Sequence, residues 1–122
     1  MTAPANRALF LDSLYNLLVT RKHSADESSY VARLHRQGLE HILKKVGEEA
    51  VETLLAASRG NHQEIVHETA DLWFHTLVML AHLDIHPDVI MDELIRRHQT
   101  TDARRPEGPK VDPTGKQGTN HE

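Results

Sequence analysis

Two short acidic patterns in this 122-residue chain have the side-chain types that bind cations. The first is Glu48, Glu49 and Glu52. The second is Glu68 and Asp71, followed by His75. Residues three or four apart on a helix share a face. If both stretches are helical, Glu49 and Glu52 are neighbours, as are Glu48 and Glu52, and Glu68 and Asp71. Between the patterns lie Arg59, Gly60 and Asn61. Glycine suits the left-handed position just past a helix end, and asparagine with Glu64 three residues on resembles a capping box for the next helix. Glu52 stands seven residues before Arg59 and Glu68 seven after Asn61. At about 1.5 Å per residue, both acidic sets then lie at similar height on two antiparallel helices.

Four or five carboxylates in one place repel strongly, and the cluster costs stability unless cations neutralise it. An all-oxygen ligand set favours a hard ion, Mg²⁺ first and Mn²⁺ second. Mg²⁺ keeps positions open for water and phosphate oxygens, so the chemistry expected is phosphate transfer or pyrophosphate hydrolysis. Lys45 falls on the same flank as Glu49 and Glu52 and could hold an outer phosphate as a point charge. His75, one turn past Asp71, could fix a carboxylate, bind phosphate or serve in acid–base work. A solvated, ion-paired helix face is the competing reading of the first pattern, because Lys44 and Lys45 sit one turn before Glu48 and Glu49. The two patterns together, at matching distance from one turn, favour a metal site.

The elements that would position these residues are all helical. Apolar residues Leu9, Phe10, Leu14, Leu17 and Leu18 predict a helix over about 6–22 with one buried face. Ser24, Asp26 and Glu27 form a polar break. A short helix over about 28–37 carries Tyr30, Val31 and Leu34 on one side and ends at Gly38. The third helix, about 39–58, has the stripe Leu39, Ile42, Val46, Ala50, Thr53 and Ala57, with the acidic residues on its flank. The fourth, about 62–83, has the stripe Ile65, Thr69, Leu72, Thr76, Met79 and Leu83, and a second apolar set of Val66, Ala70, Trp73, Phe74, Leu77 and Val78. A helix apolar on most sides is buried on most sides, which in a chain this short suggests packing against a second subunit. Pro87 fits the first turn of a fifth helix over about 87–98, with Val89, Ile90 and Leu94 inward. The expected fold is an all-α bundle of about five helices over residues 1–99, completed by homodimerisation, with a polar, disordered tail over 100–122.

Composition narrows the function further. Apolar residues make up 39% of the chain and the formal charge is −4, so nothing suggests a nucleic-acid-binding surface. There is no cysteine, which excludes thiolate metal sites and suits a reducing compartment. Residues 1–7 lack the pattern of a signal peptide, and no apolar run reaches the roughly 18 residues of a membrane span. A cytoplasmic protein is expected. Among ten histidines, His82 and His86 have a spacing that could serve zinc, but Pro87 argues against it. His23, His35, His41, His62, His67, His98 and His121 read as surface residues.

The acidic patterns resemble the EExxE and ExxD signature of MazG-type all-α nucleotide pyrophosphatases. Ser29 to Leu34, Gly38, Lys44 to Glu52 and Glu68 to His75 look closest, within that superfamily, to the phosphoribosyl-ATP pyrophosphatases of histidine biosynthesis. The resemblance covers roughly residues 8–98. It implies Mg²⁺-dependent hydrolysis of 1-(5-phosphoribosyl)-ATP to 1-(5-phosphoribosyl)-AMP and pyrophosphate by a homodimer. It also implies a stand-alone enzyme, without the cyclohydrolase domain often fused to relatives. Val31 departs from the threonine of many relatives. On this reading Glu49, Glu52, Glu68 and Asp71 ligate the metal, while Glu48 is a further ligand or orients the attacking water. Lys45, Lys44 and Arg33, with His75, hold phosphates. Two alternatives are a house-cleaning pyrophosphatase acting on dUTP or non-standard nucleoside triphosphates, and a non-catalytic helical dimer.

Overall fold

The computed structural model describes residues 6–100. The proposed tail beyond Thr100, the N-terminal residues 1–5 and His121 lie outside the described residues. Among those described there are five α-helices, one 3₁₀ turn and no strand. Helix α1 spans Arg7–Thr20 and leads into a 3₁₀ turn at Arg21–His23. Then follow α2 (Tyr30–Gln37), α3 (Leu39–Arg59), α4 (His62–His82) and α5 (Pro87–His98). The chain divides between Val89 and Ile90 into two compact units, a division that falls within α5.

Local chemistry sets these boundaries. Ser29 caps α2, its Oγ accepting from the Ala32 amide at 3.1 Å, so this helix starts two residues later than expected. Asn61 Oδ1 accepts from the Glu64 amide at 3.0 Å and starts α4. Such a cap contributes about 1 kcal/mol. Gly60 ends α3 at φ 75°, in the left-handed region where a Cβ is disfavoured. With Asn61 it turns the chain back on itself, and α3 and α4 form an antiparallel hairpin.

The core sits at the end of the hairpin away from that turn. Tyr15 and Leu18 of α1, Leu34 of α2, Ile42 of α3, and Leu77, Val78, Leu80 and Ala81 of α4 form one buried cluster. Each large side chain in it contributes roughly 1.5–3 kcal/mol. Helix α1 docks along Leu11, Leu14, Tyr15 and Leu18, whereas Leu9, Phe10 and Leu17, expected to face inward, are exposed. Two apolar lines compete on this helix. The one chosen contains Tyr15, whose ring meets His86 edge-on with centroids 4.8 Å apart. Val89, Ile90 and Leu94 of α5 are likewise exposed.

The core covers α4 unevenly. Val66, Trp73 and Leu77 lie on one line of the helix at 3.6-residue spacing, yet Leu77 is buried while Val66 and Trp73 are exposed, Trp73 by 68%. On the outer side of α3, Val51, Leu54 and Leu55 are exposed as well. No helix among the described residues is long and apolar enough to cross a membrane.

Candidate active site

The acidic residues lie between the core and the Gly60 turn. Glu52 and Glu68 are each eight residues from Gly60, and Glu49 and Asp71 each eleven. Helices leaving one tight turn bring such pairs level with each other. Thr53 Oγ1 joins the two helices at this height, 2.7 Å from the Glu49 carbonyl and 3.1 Å from the Glu68 carbonyl. Its single proton can be donated to either.

Two groups of oxygen and nitrogen donors result. Glu49, Glu52 and Glu68 bring one ligand atom each to within 4.8 Å of one another, and so do His67, Glu68 and Asp71. Glu68 belongs to both. Glu49 is 7% exposed. Its Oε2 lies 3.7 Å from Lys45 Nζ, while its Oε1 is buried with no protein partner. Glu68 Oε1 is also buried and unpartnered. Unmade hydrogen bonds at buried carboxylate oxygens are costly, and here the two residues that carry them belong to one acidic group that would fit a hard cation. Loss of water raises the Glu68 carboxyl above its ordinary value. The adjoining Glu52 carboxyl and Glu49 add to this, and His67 opposes it. Like charges in one site resist joint ionisation.

Glu48 joins neither group. It is one position round the helix from Glu49, half-exposed, and pairs with Lys45 at 3.5 Å. Partial burial would depress the Lys45 ammonium, but Tyr30, Glu48 and Glu49 outweigh it and hold the group above its ordinary value. Lys44 is exposed on α3. Arg33 is exposed on α2 and stacks over the Tyr30 ring, 5.5 Å from its centroid.

His75 is the site residue whose setting differs most from expectation. It is buried, 5% exposed, and both ring nitrogens are engaged. Nδ1 lies 2.8 Å from the Asp71 carbonyl and Nε2 lies 2.9 Å from the Tyr30 hydroxyl. A direct phosphate contact would break one of these bonds. Sequence reasoning gave Tyr30 no role here. No local signal links it to a residue 45 positions away. His67 was read as a surface residue, and it is exposed, yet its Nε2 lies 3.5 Å from Asp71 Oδ2. The i,i+4 spacing to Asp71 was the signal for it. His35, also read as surface, is buried and stacks on His82, with their Nδ1 atoms 3.0 Å apart. His86 turns instead to Asp12 at 3.0 Å, so the His82 and His86 side chains serve different partners.

Beside the acidic groups, toward the turn, is an open cavity of about 270 Å³ lined by Glu52, Leu55, Ala56, Arg59, Glu64 and Glu68.

An antiparallel helical hairpin with carboxylates converging from both arms, set in an all-α fold, is the architecture of the MazG-like nucleotide pyrophosphatases. Within that class the assignment is specific. Residues 11–98 match the family model of phosphoribosyl-ATP pyrophosphohydrolase, and the chain belongs to that family. Its activity is hydrolysis of phosphoribosyl-ATP to phosphoribosyl-AMP and pyrophosphate, a step of histidine biosynthesis.

Proposed function

We propose that the hydrolysis runs at the acidic groups of the α3–α4 hairpin with Mg²⁺ as the cofactor and Mn²⁺ as a substitute. The observation that carries this reading is the pair of buried, unpartnered carboxylate oxygens, Glu49 Oε1 and Glu68 Oε1. Glu49, Glu52, Glu68 and Asp71 would hold the ion. When bound, it would offset the carboxylate repulsion and draw off the negative charge that develops as the α–β phosphoanhydride breaks. His67 stands close enough to Asp71 to steady its carboxylate.

The remaining residues bind and orient. Lys45, kept protonated by its acidic neighbours, neutralises a phosphate at the core end of the site, and Arg33 and Lys44 add charge on the same side. Glu48 stands beside Lys45 and is assigned to orient the attacking water. His75 acts behind this layer, as the support for Tyr30, rather than as a direct phosphate ligand. The cavity toward Arg59 leaves room for part of the nucleotide.

We further propose that the enzyme works in the cytoplasm as a homodimer. Val51, Leu54, Val66 and Trp73 leave an apolar outer face on the hairpin, and such faces mark protein contacts. The domain is assigned to residues 1–99, with residues 100–122 as a polar tail to which no role is given.

The test of the site is pyrophosphate release from phosphoribosyl-ATP with and without Mg²⁺, in the wild type and in Glu52→Ala and Asp71→Ala variants. Both variants should lose turnover by at least about 10²-fold while keeping the helical circular-dichroism spectrum. Full activity in either removes that residue from the ligand set.

A further inference from the structure

Tyr30 stands where three helices meet. It is the first residue of α2. Its hydroxyl reaches His75 of α4 at 2.9 Å, and its ring meets the His75 imidazole edge-on at 5.9 Å between centroids. The Arg33 guanidinium lies over the ring, one turn along α2. Tyr30 is among the neighbours that raise the Lys45 ammonium of α3. Tyr30 is 41% exposed, so it is not simply core.

The hydrogen-bond directions follow from donor and acceptor types. The Asp71 carbonyl can only accept, so His75 Nδ1 carries the proton. In the neutral ring Nε2 is then an acceptor, and the Tyr30 hydroxyl donates to it. A hydroxyl already donating to His75 has no proton left for a phosphate oxygen, which is itself only an acceptor. Tyr30 therefore does not grip a phosphate. What it does is join α2, through His75, to the backbone of Asp71, one of the acidic residues.

We infer that Tyr30 is a positioning residue of the reaction: its hydroxyl ties α2 to α4 through His75, and its ring holds the Arg33 guanidinium toward the substrate's phosphates. This rests on the reading that Arg33 binds phosphate. Arg33 is exposed, and a long side chain at the surface otherwise samples many rotamers. Stacking on an aromatic face restricts it at little cost.

Steady-state kinetics on phosphoribosyl-ATP for Tyr30→Phe, Tyr30→Leu, Arg33→Met and the Tyr30→Leu/Arg33→Met double variant test this, with circular dichroism to check folding. Tyr30→Leu removes both hydroxyl and platform and should raise KM about tenfold, the scale of one lost charge-assisted contact, with kcat within about twofold. Tyr30→Phe keeps the platform and should restore part of that loss. The double variant should have a KM no higher than the worse of its two parents, because Tyr30 works through Arg33. A wild-type KM in Tyr30→Leu overturns the inference, as does a double variant in which the two effects multiply. A wild-type KM in Arg33→Met removes Arg33 from phosphate binding and the inference with it. A raised KM in Arg33→Met beside an unchanged one in Tyr30→Leu leaves the phosphate reading standing and sinks the positioning role alone.

Discussion

Glu68 shares a confined space with Glu52 and Glu49 and belongs to both acidic groups. With its folded-state value raised above the ordinary 4.5, it contributes stability that is complete below 4.5 and is lost as pH rises through the raised value. Near neutral pH, without a divalent ion, its charge works against the fold. Glu68→Gln should therefore raise the thermal midpoint of the metal-free protein at pH 7 and flatten its rise on acidification, while abolishing turnover. A lower midpoint in the metal-free variant would contradict the repulsion argument. The carboxylates themselves were legible in the sequence because i,i+3 and i,i+4 spacing on a helix is local, and because Arg59, Gly60 and Asn61 fix the register of the two arms. The bond from His75 to Tyr30 was not. Tyr30 approaches it only when α2 folds against the hairpin, and a pattern along one helix carries no information about that contact.

At the scale of elements, helix boundaries followed capping chemistry closely, since Ser29, Gly38, Gly60 and Asn61 act on their immediate neighbours. The buried lines were harder to read. The third helix buries Ile42, Glu49 and Ala56, a line turned toward the acidic flank and away from the expected Ala57. The choice depends on where α4 lies. The clasp among α1, α2 and α4 was also hidden. His35 Nε2 lies 3.2 Å from the Leu18 carbonyl and its Nδ1 meets His82, while Lys22 Nζ reaches the His82 carbonyl at 2.9 Å. Burial lowers the His35 imidazole below its ordinary 6.5. Its bond to the Leu18 carbonyl opposes this, and His82, Lys22 and His23 add to the lowering. The folded protein then resists a proton that the unfolded chain accepts. Stability is complete above pH 6.5 and declines as pH falls from there through the depressed value. Thermal midpoints measured between pH 7.5 and 5.5 should fall, and His35→Gln should lessen that slope. An unchanged slope would place the titration elsewhere.

For the whole molecule, the apolar composition of the fourth helix led to the expectation of packing against a second subunit, and part of that apolar surface is left open. Trp73 and Val66 remain exposed, as does Leu54, 69% open on the neighbouring arm. If a second copy covers this face, Leu54→Glu should shift the protein to monomer in light scattering at micromolar concentration, with the helical content of each chain retained. A wild-type mass would move the interface to another surface.

The uneven cover of α4 has a consequence for how tightly different parts of the hairpin are held. From Leu77 to Ala81 the helix is clamped by α1 and α2, whereas from Val66 to Trp73 it rests mainly on α3, over carboxylates that repel one another. Backbone amides around 66–73 and 49–56 should therefore exchange with deuterated solvent sooner than those around 77–81, through openings that need not unfold the chain. Adding Mg²⁺ should slow exchange in the first two stretches and leave the third unchanged. The acidic half of the hairpin would then be the part whose order depends on being loaded, while the other half serves as its fixed anchor.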